Sequence, residues 1–148
     1  MIGIIEYGLG NVSAFANIYK KLDVPYKILR NTDDFQEVDK LILPGVGAFD
    51  HAMDLFTKSG MREITEEMVI GKKKPVLGVC VGMQMMAESS EEGYLEGLNW
   101  IKGKVVKFKL EDLENGSPMP HMGWNTLKSS SEDDLIKGLH DEMFYFLH

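Results

Sequence analysis

Three apolar runs in this chain each end at a glycine-bearing loop, and that repeated ending constrains the fold more than any other feature. A strand expected over 1–7, built on Ile2-Gly3-Ile4-Ile5, runs to Gly8-Leu9-Gly10, Leu41-Ile42-Leu43 runs toward Pro44-Gly45-Val46-Gly47, and Pro75-Val76-Leu77 toward Gly78-Val79-Cys80-Val81-Gly82. Short apolar runs suit strands buried on both faces. The pattern predicts a helix from about Asn11, whose side chain can cap it, to about Leu22, with Phe15, Ile18, Tyr19 and Leu22 on the apolar face. Strands follow over 24–29 and 40–43, with an acidic turn at Asp33-Asp34 between them. Helices are expected over 48–56 and 61–70, before the strand that leads to Cys80. This rhythm is that of an α/β protein, a mostly parallel sheet with flanking crossover helices. Ligands of such sheets bind beyond the carboxyl ends of the strands, where all three glycine loops fall.

Cys80 is the only cysteine and stands in a G-x-C-x-G frame directly after a strand. Small residues on both sides permit a sharp strand-to-helix turn, the cysteine form of a nucleophile elbow. The start of the following helix offers unpaired N–H groups and a positive dipole end, which favour the nucleophilic thiolate. A buried core cysteine is the plainer alternative. The convergence of the glycine loops on one sheet edge favours the nucleophile. Gly45-Val46-Gly47 can present backbone N–H groups to a developing oxyanion, or serve only as a tight loop. Gln84 lies about one helical turn after Cys80, and its neutral amide suits a polar substrate. Met83, Met85 and Met86 are expected to pack in the core. Gly8-Leu9-Gly10 lacks the full dinucleotide fingerprint and is expected to be a turn.

None of the four histidines makes a convincing partner for the thiol. His51 is expected on a helix surface, His121 in a loop after Pro120, His140 in an acidic stretch and His148 at the last position. One cysteine and scattered histidines fit no zinc pattern, so neither metal nor cofactor is expected. Beyond Gly93 the pattern predicts a strand over 105–108, a loop from Pro118 into His121–Asn125, a polar turn over 129–134 and a strand over 144–147.

A chain of 148 residues is about one domain, expected here over 1–148. Its net charge of -7 argues against nucleic acid or an anionic membrane as the main partner. A lone cysteine fits a reducing compartment, and the apolar runs are too short for a transmembrane span. The N-terminus shows no basic leader, and a cytoplasmic location is the expectation.

Taken together, these segments resemble class I (triad) glutamine amidotransferases, and more narrowly the glutaminase subunits of imidazole glycerol phosphate synthases. The resemblance rests on 75–84 followed by Glu88-Ser89-Ser90-Glu91-Glu92-Gly93, and on Tyr7–Asn11, Leu43–Phe49, Pro120–Asn125 and Phe144–His148. Pro120-His121-Met122-Gly123-Trp124-Asn125 is its most specific piece. It implies a flavodoxin-like domain that hydrolyses L-glutamine to glutamate and ammonia, with Cys80 as nucleophile. It implies oxyanion donors at Val46, Gly47 and Val81, and substrate contacts at Gly45 and Gln84. His121, Met122, Gly123, Trp124 and Asn125 would face a (β/α)8-barrel cyclase that receives the ammonia for histidine biosynthesis.

Two departures stand out. Glu6 replaces the usual Asp and Val81 the common Leu, and with Gly97–Gly103 they point to an alternative branch. That branch supplies ammonia to an N-acetyl sugar amidotransferase of surface-polysaccharide synthesis. The second departure concerns the catalytic His and Glu, which the family carries a few dozen residues beyond the Phe-Tyr-Phe strand. The expectation is a chain that holds the nucleophile without its base, lacks the last strands of the sheet and has little glutaminase activity alone. Cys80 would still react with a glutamine-analogue electrophile. A protease-like cysteine hydrolase has no need of Pro120–Asn125, and a non-catalytic flavodoxin-like module has no need of Cys80.

Overall fold

The computed structural model describes residues 1–109, 120–127, 135–139 and 141–147. The chain divides into two compact units, Met1–Lys107 and Phe108–His148. The first unit opens with β1 (Ile2–Ile5), α1 (Val12–Lys21), β2 (Tyr26–Leu29) and a 3₁₀ turn at Thr32–Phe35. It continues with β3 (Lys40–Gly45), α2 (Phe49–Lys58) and α3 (Arg62–Glu66), which runs into a π turn at Glu67–Gly71. Then come β4 (Val76–Cys80), the single-turn helix α4 (Val81–Gln84), and the short parallel pair β5 (Ser89–Ser90) and β6 (Lys104–Val105).

Strands β1 to β4 form one parallel sheet in the order β2-β1-β3-β4. The parallel sheet is the one the sequence pattern predicts, and its order gives the first four places of the flavodoxin-like order that the resemblance implies. β1 shows how the layers separate. Ile4 belongs to a cluster with Val12 and Ala16 of α1, whereas Ile5 joins the larger cluster with Phe49, Ala52, Met53 and Phe56 of α2. Alternate residues of a strand point to opposite faces, so helices cover both sides of the sheet. Full burial of Phe49 and Phe56 stabilises this unit by about 2–3 kcal/mol apiece relative to exposure.

Several boundaries and faces differ from the sequence expectation. The Asn11 side chain does cap α1, accepting the Ala14 N–H at 3.1 Å. Its buried stripe, however, is Val12 and Ala16 with Phe15 and Tyr19 beside them, while Ile18 and Leu22 are 52% and 64% exposed. Both sets have helical spacing, and packing against Ile4, Tyr26 and Ile28 of the sheet selects the Val12–Ala16 stripe. β2 starts at Tyr26 because the Val24 N–H is taken by the Tyr19 carbonyl in the turn closing α1. Met85 and Met86 are core residues as expected, but Met83 is 50% exposed. The strand expected over 105–108 is confined to Lys104–Val105.

In the second unit β7 (Met122–Thr126) pairs antiparallel with β8 (Met143–Leu147). The His121–Asn125 loop expected from the sequence is thus largely a strand. Gly123 and Asn125 have weak strand propensity, and pairing with the aromatic β8 overrides it. Pro118, the turn over 129–134, His140 and His148 lie outside the described residues. Among the described residues no helix is long and apolar enough to cross a membrane, and no group of three or more His, Cys, Asp or Glu is placed to hold a metal ion.

Candidate active site

Cys80 ends β4 with φ 56° and ψ −123°, backbone angles that a side chain adopts only under strain. Such a residue costs about 1–3 kcal/mol and persists where its surroundings hold it in place. The surroundings here are backbone. A Cβ on Gly82 would collide with the Leu43 carbonyl oxygen and stand 3.0 Å from the Pro44 carbonyl carbon. Gly45 lies so close to the Val81–Gly82 peptide that a Cβ on it would stand 3.0 Å from the Val81 carbonyl carbon. The thiol itself is exposed. The plainer reading of Cys80 as a core residue is thereby excluded.

The parallel register sets Cys80 directly opposite Gly45. The elbow and the glycine loop therefore leave the sheet side by side. Gly10, Asn11, Phe15, Pro44, Gly45, Val46, Val79 and Cys80 line a cleft of about 540 Å³. Val46 is 55% exposed, and Gly47 has φ 90° with open space around it, a conformation that favours glycine. Val81 turns its side chain into the core. α4 is one turn long, so electrostatic help at the thiol is confined to its first N–H groups.

Gln84 is half-buried and lines another cavity, of about 460 Å³, with Ser90, Glu91, Glu92 and Lys107 among its walls. The helical spacing that pairs Gln84 with Cys80 does not reach back to the cysteine, because Cys80 is outside α4. His51 is exposed on α2. His121, half-buried in the second unit, has ring centroids 6.4 Å from Phe108 and 6.0 Å from Phe146. Its Nε2 lies 3.4 Å from the Asn125 side-chain amide. On β7, Met122 and Trp124 are 47% and 62% exposed, and Trp124 meets Tyr145 edge-on at 5.5 Å. A His-x-Glu spacing does occur at His140-Asp141-Glu142, ahead of β8 rather than beyond it, with His140 outside the described residues.

Three structural roles near the cleft escape sequence reasoning. The Tyr7 hydroxyl donates to the Pro44 carbonyl at 2.8 Å. Glu92 accepts the Phe49 N–H at 3.1 Å, capping α2, whose own cap residue Ala48 has no side chain for the task. Asp50 accepts the N–H groups of Tyr94 and Leu95 and so fastens the loop after Glu92. Only the position of Tyr7 just past β1 signalled its place, since residues there share an edge with the ends of β3 and β4. Burial pushes the Tyr7 phenol up to about 12.

A parallel sheet with a strained cysteine elbow beside a glycine loop is the architecture of a nucleophilic hydrolase or transferase. The chain belongs to the family described as glutamine amidotransferase class-I, whose profile matches residues 3–148. It is similar to the imidazole glycerol phosphate synthase subunit HisH of Bdellovibrio bacteriovorus, with 54% identity over 149 residues, covering 100% of this chain and 73% of that protein. The subunit HisH of Leptospira interrogans is 46% identical over the same shares of each chain. A crystal structure described as a glutamine amidotransferase superposes with a TM-score of 0.70 over 99% of this chain and 70% of that one. At 16% identity that likeness shows the fold.

Proposed function

We propose that this chain is the glutaminase component of an imidazole glycerol phosphate synthase, releasing ammonia from L-glutamine for a (β/α)8-barrel cyclase in histidine biosynthesis. The observation that carries the reading is the strained, exposed Cys80 held opposite Gly45 at the mouth of the cleft. The names of the similar proteins support the histidine branch over the polysaccharide branch. The reading treats 1–148 as one amidotransferase domain, since the family match runs through both units. It also carries a cytoplasmic location, where a reduced thiol persists.

In this reading the Cys80 sulfur attacks the side-chain amide carbon of glutamine. A C–S bond forms as the carbonyl electron pair moves onto oxygen. Backbone N–H groups of the Val46–Gly47 loop and of Val81 receive that oxyanion. A general base, in this family the His of a His–Glu pair and not one of the residues assigned above, takes the thiol proton and returns a proton to nitrogen as the C–N bond breaks and ammonia leaves. Water then hydrolyses the γ-glutamyl thioester to glutamate and restores the thiol. Gly45, which lines the cleft with Cys80, contributes to holding glutamine, and Gln84, on the other cavity, is assigned to the substrate on the family resemblance alone. His121, Met122, Gly123, Trp124 and Asn125 form the surface that meets the cyclase, with Met122 and Trp124 as its exposed apolar part.

The test is Cys80→Ala in the full chain assembled with the cyclase. Glutamine-dependent turnover should fall by about 10³-fold or more, while turnover with added ammonium salt persists. Retained glutamine hydrolysis would sink the assignment of Cys80. Ammonia transfer to an N-acetyl sugar acceptor instead of the cyclase product would move the chain to the polysaccharide branch.

A further inference from the structure

β3 extends beyond β1. Their register ends at Ile4↔Ile42, whereas β3 stays paired with β4 as far as Gly45↔Cys80. The last residues of β3, from which the glycine loop departs, thus have a strand ladder on the β4 side alone. On the other side stands the Tyr7 side chain, which is 5% exposed. Its hydroxyl donates to the Pro44 carbonyl at 2.8 Å and lies 3.6 Å from the Met85 sulfur. Its ring meets Phe56 edge-on, with centroids 5.3 Å apart. One buried side chain therefore touches the root of the glycine loop, the residue after the elbow helix α4, and α2.

We propose that Tyr7 is a positioning residue for the oxyanion loop, its hydroxyl replacing the missing strand ladder and fixing the Pro44–Gly45 peptide from which Val46 and Gly47 depart. The proposal rests on the glutaminase reading above. A carbonyl held by a donor cannot rotate without losing that bond, so the Pro44–Gly45 plane is set before substrate arrives. At the far end of the loop Glu92 holds the Phe49 N–H and the Ala48 carbonyl accepts the Ala52 N–H at 3.1 Å, so the stretch between the two held ends is Val46 and Gly47. Both are exposed. Movement of the loop is confined to the residues that present N–H groups, and their distance from Cys80 is set by the pinned root. The raised Tyr7 phenol keeps its proton throughout neutral pH and so remains a donor.

The decisive variant is Tyr7→Phe, which removes the hydroxyl and keeps the ring on Phe56. In the full chain with the cyclase, kcat for glutamine hydrolysis should fall about 10–30-fold with KM within about twofold, smaller than the loss of a direct oxyanion donor. Binding of L-glutamate γ-semialdehyde, whose thiol adduct puts an oxygen where the oxyanion forms, should weaken by a similar factor. The rate of Cys80 alkylation by iodoacetamide, which needs no oxyanion donor, should stay within about twofold. Met85→Leu removes the sulfur contact and should leave all three readouts unchanged. An unaltered kcat in Tyr7→Phe overturns the proposal. So does a parallel fall of kcat, iodoacetamide rate and unfolding midpoint, because that pattern marks a merely structural tyrosine. A wild-type complex that neither hydrolyses glutamine nor binds the semialdehyde overturns the glutaminase reading itself, and this proposal with it.

Discussion

At the Cys80 elbow Val81 is 5% exposed and Met85 fully buried, whereas on the β7–β8 pair Trp124 is 62% and Tyr145 53% exposed. Both regions are rich in apolar side chains, yet they use them differently. Around the elbow the chain satisfies itself: backbone fits backbone at Gly82, and Tyr7 and Glu92 take up polar groups at the two ends of the glycine loop. On β7–β8 the register sets Met122 opposite Leu147, Trp124 opposite Tyr145 and Thr126 opposite Met143, so one face collects large exposed residues. Internal contacts hold the elbow in place, whereas the β7–β8 face leaves its large side chains exposed, and the proposed function gives that face to the cyclase.

The largest effect is expected where the elbow has least room. Gly82→Ala should destabilise the first unit by about 3 kcal/mol and suppress glutamine turnover, because the new methyl meets the Leu43 carbonyl. Denaturant unfolding measures the first and ammonia release the second. A tolerated alanine would show that the elbow is not packed as tightly as described. Trp124→Ala should do the reverse. Cyclase affinity, measured by calorimetry, should weaken by about 2 kcal/mol, with unfolding stability changed by about 0.5 kcal/mol or less. A stability loss without an affinity loss would break the contrast between the regions.

The smallest effect belongs to neither region. Asp39 takes a hydrogen bond from the N-terminal ammonium at 2.6 Å and another from Lys74 at 3.0 Å, which together hold its carboxyl down at about 2. Its folded pKa lies below the unfolded value of about 3.9, so its stabilising contribution is complete above that value and disappears as pH falls toward 2. Asp39→Asn should lower the melting temperature slightly at neutral pH, and the difference should shrink as pH falls below about 4 and through about 2. Salt should shrink the difference, because the pair is exposed. A gap between the two proteins that does not shrink between neutral pH and pH 2 would assign the effect to something other than this pair.

Much of the first unit was legible because its signals are local. Apolar runs ending at glycine define β1, β3 and β4, and the G-x-C-x-G frame marks the elbow without any knowledge of what it touches. Tyr7 was not legible as a support for the loop, since its value depends on β3 outrunning β1, a fact of register between distant segments. Glu92 escaped for the same reason, as its partner Phe49 lies at the head of a different helix. Met122–Thr126 misled because a strand's propensity counts for less than the strand it pairs with. The turn of α1 that carries Ile18 read as apolar but faces outward, since two stripes of equal period compete and only packing selects one.

The pairing of Gly45 with Cys80 carries a consequence for how such a protein can change over evolution. The two residues are neighbours through the sheet, not through the crossover formed by α2, α3 and the π turn. Insertions or deletions in that crossover alter its length without moving the strand ends it joins. A drift of one residue in the β3–β4 ladder would separate loop from thiol at once. Variation in this lineage should therefore gather in the crossover, and β3 and β4 should keep equal step.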